Sequence, residues 1–189
     1  MRRKPMPRAS FTSARAVDLL GCKLPIVLAG MGGVSRSDLV AAATAAGAFG
    51  FLGMVREPVA LIRQEVAKLR QLGYDNFGVN VIPAATGHAL LDQQIETMIE
   101  LRVPAVALFW DLDVSVVRRF RDAGITVVYQ VGSVKEAVAA EGAGAEIIVA
   151  QGVEAGGHVR GSTLLCQLLP EVLKAVNVPV LAAGGLATG

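Results

Sequence analysis

Only two cysteines occur in the 189 residues, Cys22 and Cys166, so there is no disulfide framework. Neither forms a C-x-x-C pair or sits beside a histidine at metal-ligand spacing. No metal site is expected, and both thiols read as reduced core residues of a cytoplasmic protein. Charge is equally sparse: 18 basic and 16 acidic residues leave a net +2. Beyond residue 15 no basic stripe is interleaved with aromatics, so nucleic acid is not an expected partner. Arg2, Arg3, Lys4, Arg8 and Arg15 gather ahead of the first acid, Asp18, and no apolar secretory core follows them. The reading is a flexible basic leader over residues 1–15 and one domain over 16–189. A continuous membrane span is lacking too. Leu39–Val55 carries no charge, but Gly47, Gly50 and Gly53 divide it into a helix end, a turn and a short strand. What the chain does have is apolar mass: 53% of its residues are hydrophobic, enough for a substantial globular core.

That mass is arranged in a repeat. Short apolar runs at Pro25–Ala29, Ala48–Leu52, Phe77–Ile82, Ala105–Phe109, Thr126–Gln130, Glu146–Ala150 and Pro179–Ala183 read as seven strands. Between them, apolar spacing of three and four predicts helices at Ser37–Ala46, Pro58–Leu72, His88–Leu101, Val114–Ala123, Val134–Gly142 and Pro170–Val176. Ser35 and Asp38 have capping-box spacing, and Gly47, Gly73, Gly124 and Gly142 stand where helices stop. Such alternation means parallel strands with helical crossovers. An open dinucleotide-binding sheet would need a third glycine after Gly30-Met31-Gly32-Gly33 and an acid about twenty residues on, and both are missing. A TIM-type (β/α)8 barrel is therefore preferred. A barrel takes eight strands and about 250 residues, so the expectation is a barrel truncated after its seventh strand.

The densest polar and glycine cluster, Gln151-Gly152-Val153-Glu154-Ala155-Gly156-Gly157-His158-Val159-Arg160-Gly161, follows the sixth strand, at what would be the catalytic rim. Its glycines let backbone approach a flat ligand and free amide donors for an anion. His158 brings a group that titrates near neutral pH and Arg160 a fixed positive charge. A lone loop histidine is ordinarily just solvated; this setting favours catalysis. Gly184-Gly185, after the seventh strand, suits either a phosphate site or a simple turn. Asn80 and Gln130, polar amides within strands, must face a ligand or satisfy barrel backbone. Ala29-Gly30-Met31 leaves room for a ring system, or is ordinary packing.

Taken in order and spacing, Pro25-Ile26-Val27-Leu28-Ala29-Gly30-Met31, Phe77-Gly78-Val79-Asn80, the Gln151–His158 string and Ala182-Ala183-Gly184-Gly185-Leu186-Ala187 resemble the nitronate monooxygenases, formerly 2-nitropropane dioxygenases. The Glu-Ala-Gly-Gly-His string is shared with FMN-dependent enoyl-acyl-carrier-protein reductases. The resemblance implies non-covalent FMN held by Ala29, Gly30, Met31, Asn80, Gln130, Gln151, Gly156, Gly157, Gly184 and Gly185, with His158 as the catalytic residue. It implies a flavin-dependent oxidoreductase that converts a nitronate or nitroalkane and dioxygen to a carbonyl compound and nitrite. The alternatives are reduction of an enoyl thioester with NADH or NADPH, and an inactive fragment. The sequence departs from the family pattern at Leu28, where glutamine is usual, at Gly30, where proline is usual, and at Val159, where many members place the basic residue.

Overall fold

The computed structural model describes residues 14–186. Seven strands form one parallel sheet in sequence order: β1 (Val27–Leu28), β2 (Phe49–Gly53), β3 (Gly78–Val81), β4 (Ala105–Phe109), β5 (Thr126–Val131), β6 (Ile147–Gln151) and β7 (Val180–Ala183). The crossovers are α2 (Ser37–Ala45), α3 (Val59–Gln71), α4 (His88–Glu100), α5 (Val114–Asp122), α6 (Val134–Ala143) and α7 (Leu165–Ala175). This is the expected architecture, a curled sheet of β/α units of the TIM-barrel kind. One cavity inside the curl is lined by residues of all seven strands, and β1 does not pair with β7 among the described residues.

Strand alternation sorts the apolar residues into two cores. Val79, Val106, Leu108, Val127, Tyr129, Ile148 and Ala150 face outward and pack against helix residues such as Ile62, Leu69, Ile95, Phe120 and Val172. Phe49, Phe51, Ala105, Val128 and Ile147 face inward and fill the barrel. Leu20 belongs to this inner core, and it comes from an element that periodicity does not reveal: the seven-residue helix α1 (Ala14–Leu20). Helix α1 closes the end of the barrel opposite the strand C-termini; Arg15 also donates to the Asn177 carbonyl, just before β7 (3.1 Å). The expected leader lies outside the described residues up to residue 13, and its last two positions are helical.

Several local expectations change. Helix α2 is preceded by Arg36 with no side-chain cap, so Ser35 is not capping it. Gly142 lies within α6, and Gly144, at φ 113°, makes the left-handed stop. Helix α7 starts at Leu165, five residues before the expected Pro170, because the Glu154 carboxylate accepts from the Leu165 amide (3.0 Å to each oxygen). Cys166 is consequently exposed on that helix rather than in the core, while Cys22 is half-buried. No helix among the described residues is long and apolar enough to cross a membrane.

Asp113 caps α5. Its carboxylate accepts from the Ser115 hydroxyl (2.6 Å) and from the amides of Ser115 (2.9 Å) and Val116 (3.2 Å). The Ser115 hydroxyl foremost, with the amides, holds its carboxyl below the ordinary 3.8 despite partial desolvation. Asp113→Ala is expected to cost about 1 kcal/mol. A carboxyl lowered in the folded state stabilises above its unfolded pKa, and the contribution fades as pH falls through the folded value. Thermal melts should therefore separate the two proteins at neutral pH and converge well below pH 3.8.

Candidate active site

Alternation also fixes which side chains reach the C-terminal mouth. The inward positions nearest the mouth include Ala29 just after β1, Asn80, Phe109, Gln130, Gln151 and Ala183, with Phe109 beside Gln130 and Gln151 beside Ala183 in register. With Gly30, Met31, Gly32, Val55, Ile82, Gly184 and the Ala155–His158 segment they line a pocket of about 470 Å³. Small-molecule sites commonly span roughly 300–1,000 Å³. Ten residues singled out in the sequence thus meet in one place: Ala29, Gly30, Met31, Asn80, Gln130, Gln151, Gly156, Gly157, His158 and Gly184. Gly185 stands apart, backed against the Glu154 side chain.

Each wall is held by contacts the sequence did not announce. Ser35, fully buried, donates to the Ala29 carbonyl (2.8 Å) and accepts from the Met31 amide (3.1 Å), so its hydroxyl pins the turn after β1. Gly30 has no room for a side chain, since a Cβ there would overlap Asn80; the proline that the family resemblance leads one to expect would need Asn80 to move. Asn80 in turn donates to the Ala107 carbonyl (3.2 Å), the backbone-satisfying role, while still facing the pocket. The loop after β2 is clamped by buried Gln94, which donates to the carbonyls of Met54 (3.0 Å) and Glu57 (2.7 Å). That loop turns at Arg56, whose φ of 60° is left-handed and whose Nε donates to the Ala85 carbonyl (2.6 Å). Ser35→Ala would leave the half-buried Ala29 carbonyl and Met31 amide without this partner, with an expected loss of about 1 kcal/mol. Denaturant unfolding of the variant should show it as a lower midpoint at unchanged slope.

Gln151 is 4% exposed. Its Nε2 donates to the His158 carbonyl (3.0 Å), which leaves its buried Oε1 without a partner among the described residues. The amides of Gly156, Gly157, His158, Gly184 and Gly185 likewise meet no acceptor among those residues, and nothing packs within 4 Å of where a Cβ would stand on Gly156 or Gly157. Gln130 makes no side-chain hydrogen bond among the described residues and faces the same space. The mouth therefore presents an unpaired buried acceptor, an amide side chain and a run of free backbone donors. Buried polar atoms are usually paired, so these are the groups a ligand would satisfy.

His158 stands on the exposed side of the pocket, its ring edge-on to Trp110 with centroids 6.4 Å apart. It also borders a second cavity of about 450 Å³, walled by Gly32, Val55, Arg56, Ile82, Ala84, Ala85, Trp110 and Asp111. The fixed positive charge expected of Arg160 is committed to neighbouring side chains. It pairs with Asp111 (2.7 Å) and Glu136 (2.6 Å) and lies over the Trp110 ring at 5.6 Å. The Asp111 bond, then Glu136, raises its pKa, so it is a fixed structural cation. Phe109, Val55, Ile82 and Trp110 also line these cavities but carry no signal in the sequence, since apolar residues at or just past strand ends form no motif.

A nitronate monooxygenase family model matches residues 13–189. A probable nitronate monooxygenase of Staphylococcus aureus strain JH9 is 30% identical over 93% of this chain and 61% of its own length. The chain thus spans about three fifths of the curated relatives it matches. Among solved structures, FabK from Thermotoga maritima superposes with a TM-score of 0.86 at 34% identity, over 93% of this chain and 55% of that one. A nitroalkane oxidase from Streptomyces ansochromogenes gives 0.82 at 33% identity, over 91% and 61% respectively. The motif string, the barrel mouth and these matches agree, and the chain belongs to the nitronate monooxygenase family.

Proposed function

We propose that this chain carries the FMN site and the catalytic histidine of an enzyme that oxidises nitronates or nitroalkanes with dioxygen to a carbonyl compound and nitrite. The observation that carries the reading is Gln151, whose unpaired buried Oε1 faces a pocket rimmed by free glycine amides. A flavin ring edge presents both an N–H donor and carbonyl acceptors, which suit the Gln151 oxygen and the Gln130 amide. Gly30, Gly156 and Gly157 let backbone lie against the ring, and the amides of Gly184 and Gly185 are donors for its phosphate. FMN, when bound, supplies the electron acceptance and its passage to dioxygen.

The chain's own residues supply placement and charge. His158 either takes the acidic carbon proton of a neutral nitroalkane or, protonated, holds the nitro oxygens. Gln151 fixes the backbone from which that imidazole projects. The free thiols among the described residues suit a reducing cytoplasm.

The likeness to FabK favours a second reading, reduction of an enoyl thioester by NADH or NADPH. Steady-state assays decide between them. The proposed function expects nitrite release from a nitronate under oxygen; NAD(P)H consumption on an enoyl thioester, with no nitrite formed in the first assay, would support the reductase.

A further inference from the structure

Trp110 is the single tryptophan of the sequence, directly after β4, and its backbone is left-handed at φ 81°. Bulky side chains rarely adopt that conformation, and such outliers persist only where their surroundings enforce them. Here the enforcement is visible. Tyr129, 2% exposed, directs its hydroxyl to the carbonyls of Trp110 (3.3 Å) and Asp111 (3.1 Å), and burial raises its pKa, which keeps that donor protonated. Arg160 covers one side of the indole and is itself anchored to Asp111 and Glu136. Glu136 also accepts from the Gly132 amide (2.8 Å), which ties the assembly to the end of β5.

The indole so fixed stands beside His158, and both line the second cavity. Val55, Ile82, Ala84 and Ala85 join Trp110 as its apolar side, Arg56 and Asp111 are its charged edge, and His158 also lines the pocket proposed for flavin. A substrate whose reacting carbon lies at His158 therefore extends its remaining carbons along that wall. We propose that Trp110 is a specificity-determining residue whose indole forms the apolar wall for the alkyl tail of the substrate. The inference rests on the proposed nitronate chemistry and adds the part of the substrate that this chemistry leaves undetermined.

The test compares kcat/KM for the nitronates of nitroethane, 1-nitropropane, 1-nitrobutane and 1-nitropentane in the FMN-loaded protein and in Trp110→Ala and Trp110→Phe. Each methylene that reaches the indole should raise kcat/KM by about fourfold, the factor that corresponds to about 0.8 kcal/mol of apolar burial. The rise should vanish in Trp110→Ala and persist in Trp110→Phe. The slope is a ratio within one preparation, so partial misfolding scales every value together and leaves it intact. An equal slope in Trp110→Ala overturns the proposal. Should the wild-type protein turn over no nitronate, the functional reading fails, and the wall is still decided by Trp110 fluorescence. Saturable changes in emission on titration with the same neutral nitroalkanes, at affinities that tighten with tail length, support it; affinities independent of length overturn it.

Discussion

Replacing His158 with alanine is expected to lower turnover by about 10²–10⁴-fold, the usual contribution of a positioned acid–base group, with flavin retention unchanged. The separation follows from how the residue is held. Gln151 bonds to the His158 backbone carbonyl, not to its ring, so the substitution removes the imidazole and leaves the loop and its amides in place. The two candidate roles then divide by substrate. A loss confined to neutral nitroalkane, with preformed nitronate still oxidised, assigns proton removal. An equal loss on both assigns charge stabilisation of the nitro group. Full activity on both would remove His158 from the chemistry.

Gly184→Val should weaken FMN binding by about one to two orders of magnitude, at roughly 1.4 kcal/mol per tenfold. Gly184 sits at φ 110°, and a Cβ there would come within 2.9 Å of Ala155. A left-handed backbone costs an L-residue roughly 1–2 kcal/mol, and overpacking adds about 1–3 kcal/mol. The overlap is relieved most directly by displacing Ala155, which would carry Gly156 and Gly157 away from the mouth. Gly73→Ala is the control: its φ is 84°, yet nothing lies within 4 Å of the added methyl, and it is far from the mouth at the end of α3. It should lose stability and keep its affinity for FMN, measured by titration of the apoprotein.

The fold was legible because two kinds of segment alternate without conflict from Pro25 onward: short apolar runs, and helices with apolar residues at three- and four-residue spacing. Asn80 and Gln130 stood out as polar amides within apolar strands, but the choice between facing a ligand and satisfying backbone needed the folded sheet. Where the reading missed, the deciding partner was distant or carried no motif. Helix α1 has only seven residues, too few for a periodic signal, and is held by Leu20 inside the barrel. The start of α7 depends on Glu154, eleven positions upstream. Ser35 has the spacing of a cap, but its hydroxyl is committed to Ala29 and Met31. The charge of Arg160 was legible but its partners were not, because Asp111 and Glu136 come from other β/α units. The glycine string around His158 was legible for the opposite reason: close backbone approach needs glycine itself, and that requirement is written in the local sequence.

The central claim is that the mouth of this barrel holds a flavin that takes electrons from nitronates. The most direct test mixes the FMN-loaded protein with ethyl nitronate without oxygen and follows the flavin's visible absorbance. The account predicts bleaching by the nitronate and recovery when dioxygen is admitted. A protein that binds no FMN, or one whose flavin stays coloured with nitronate and bleaches with NADPH, would contradict it.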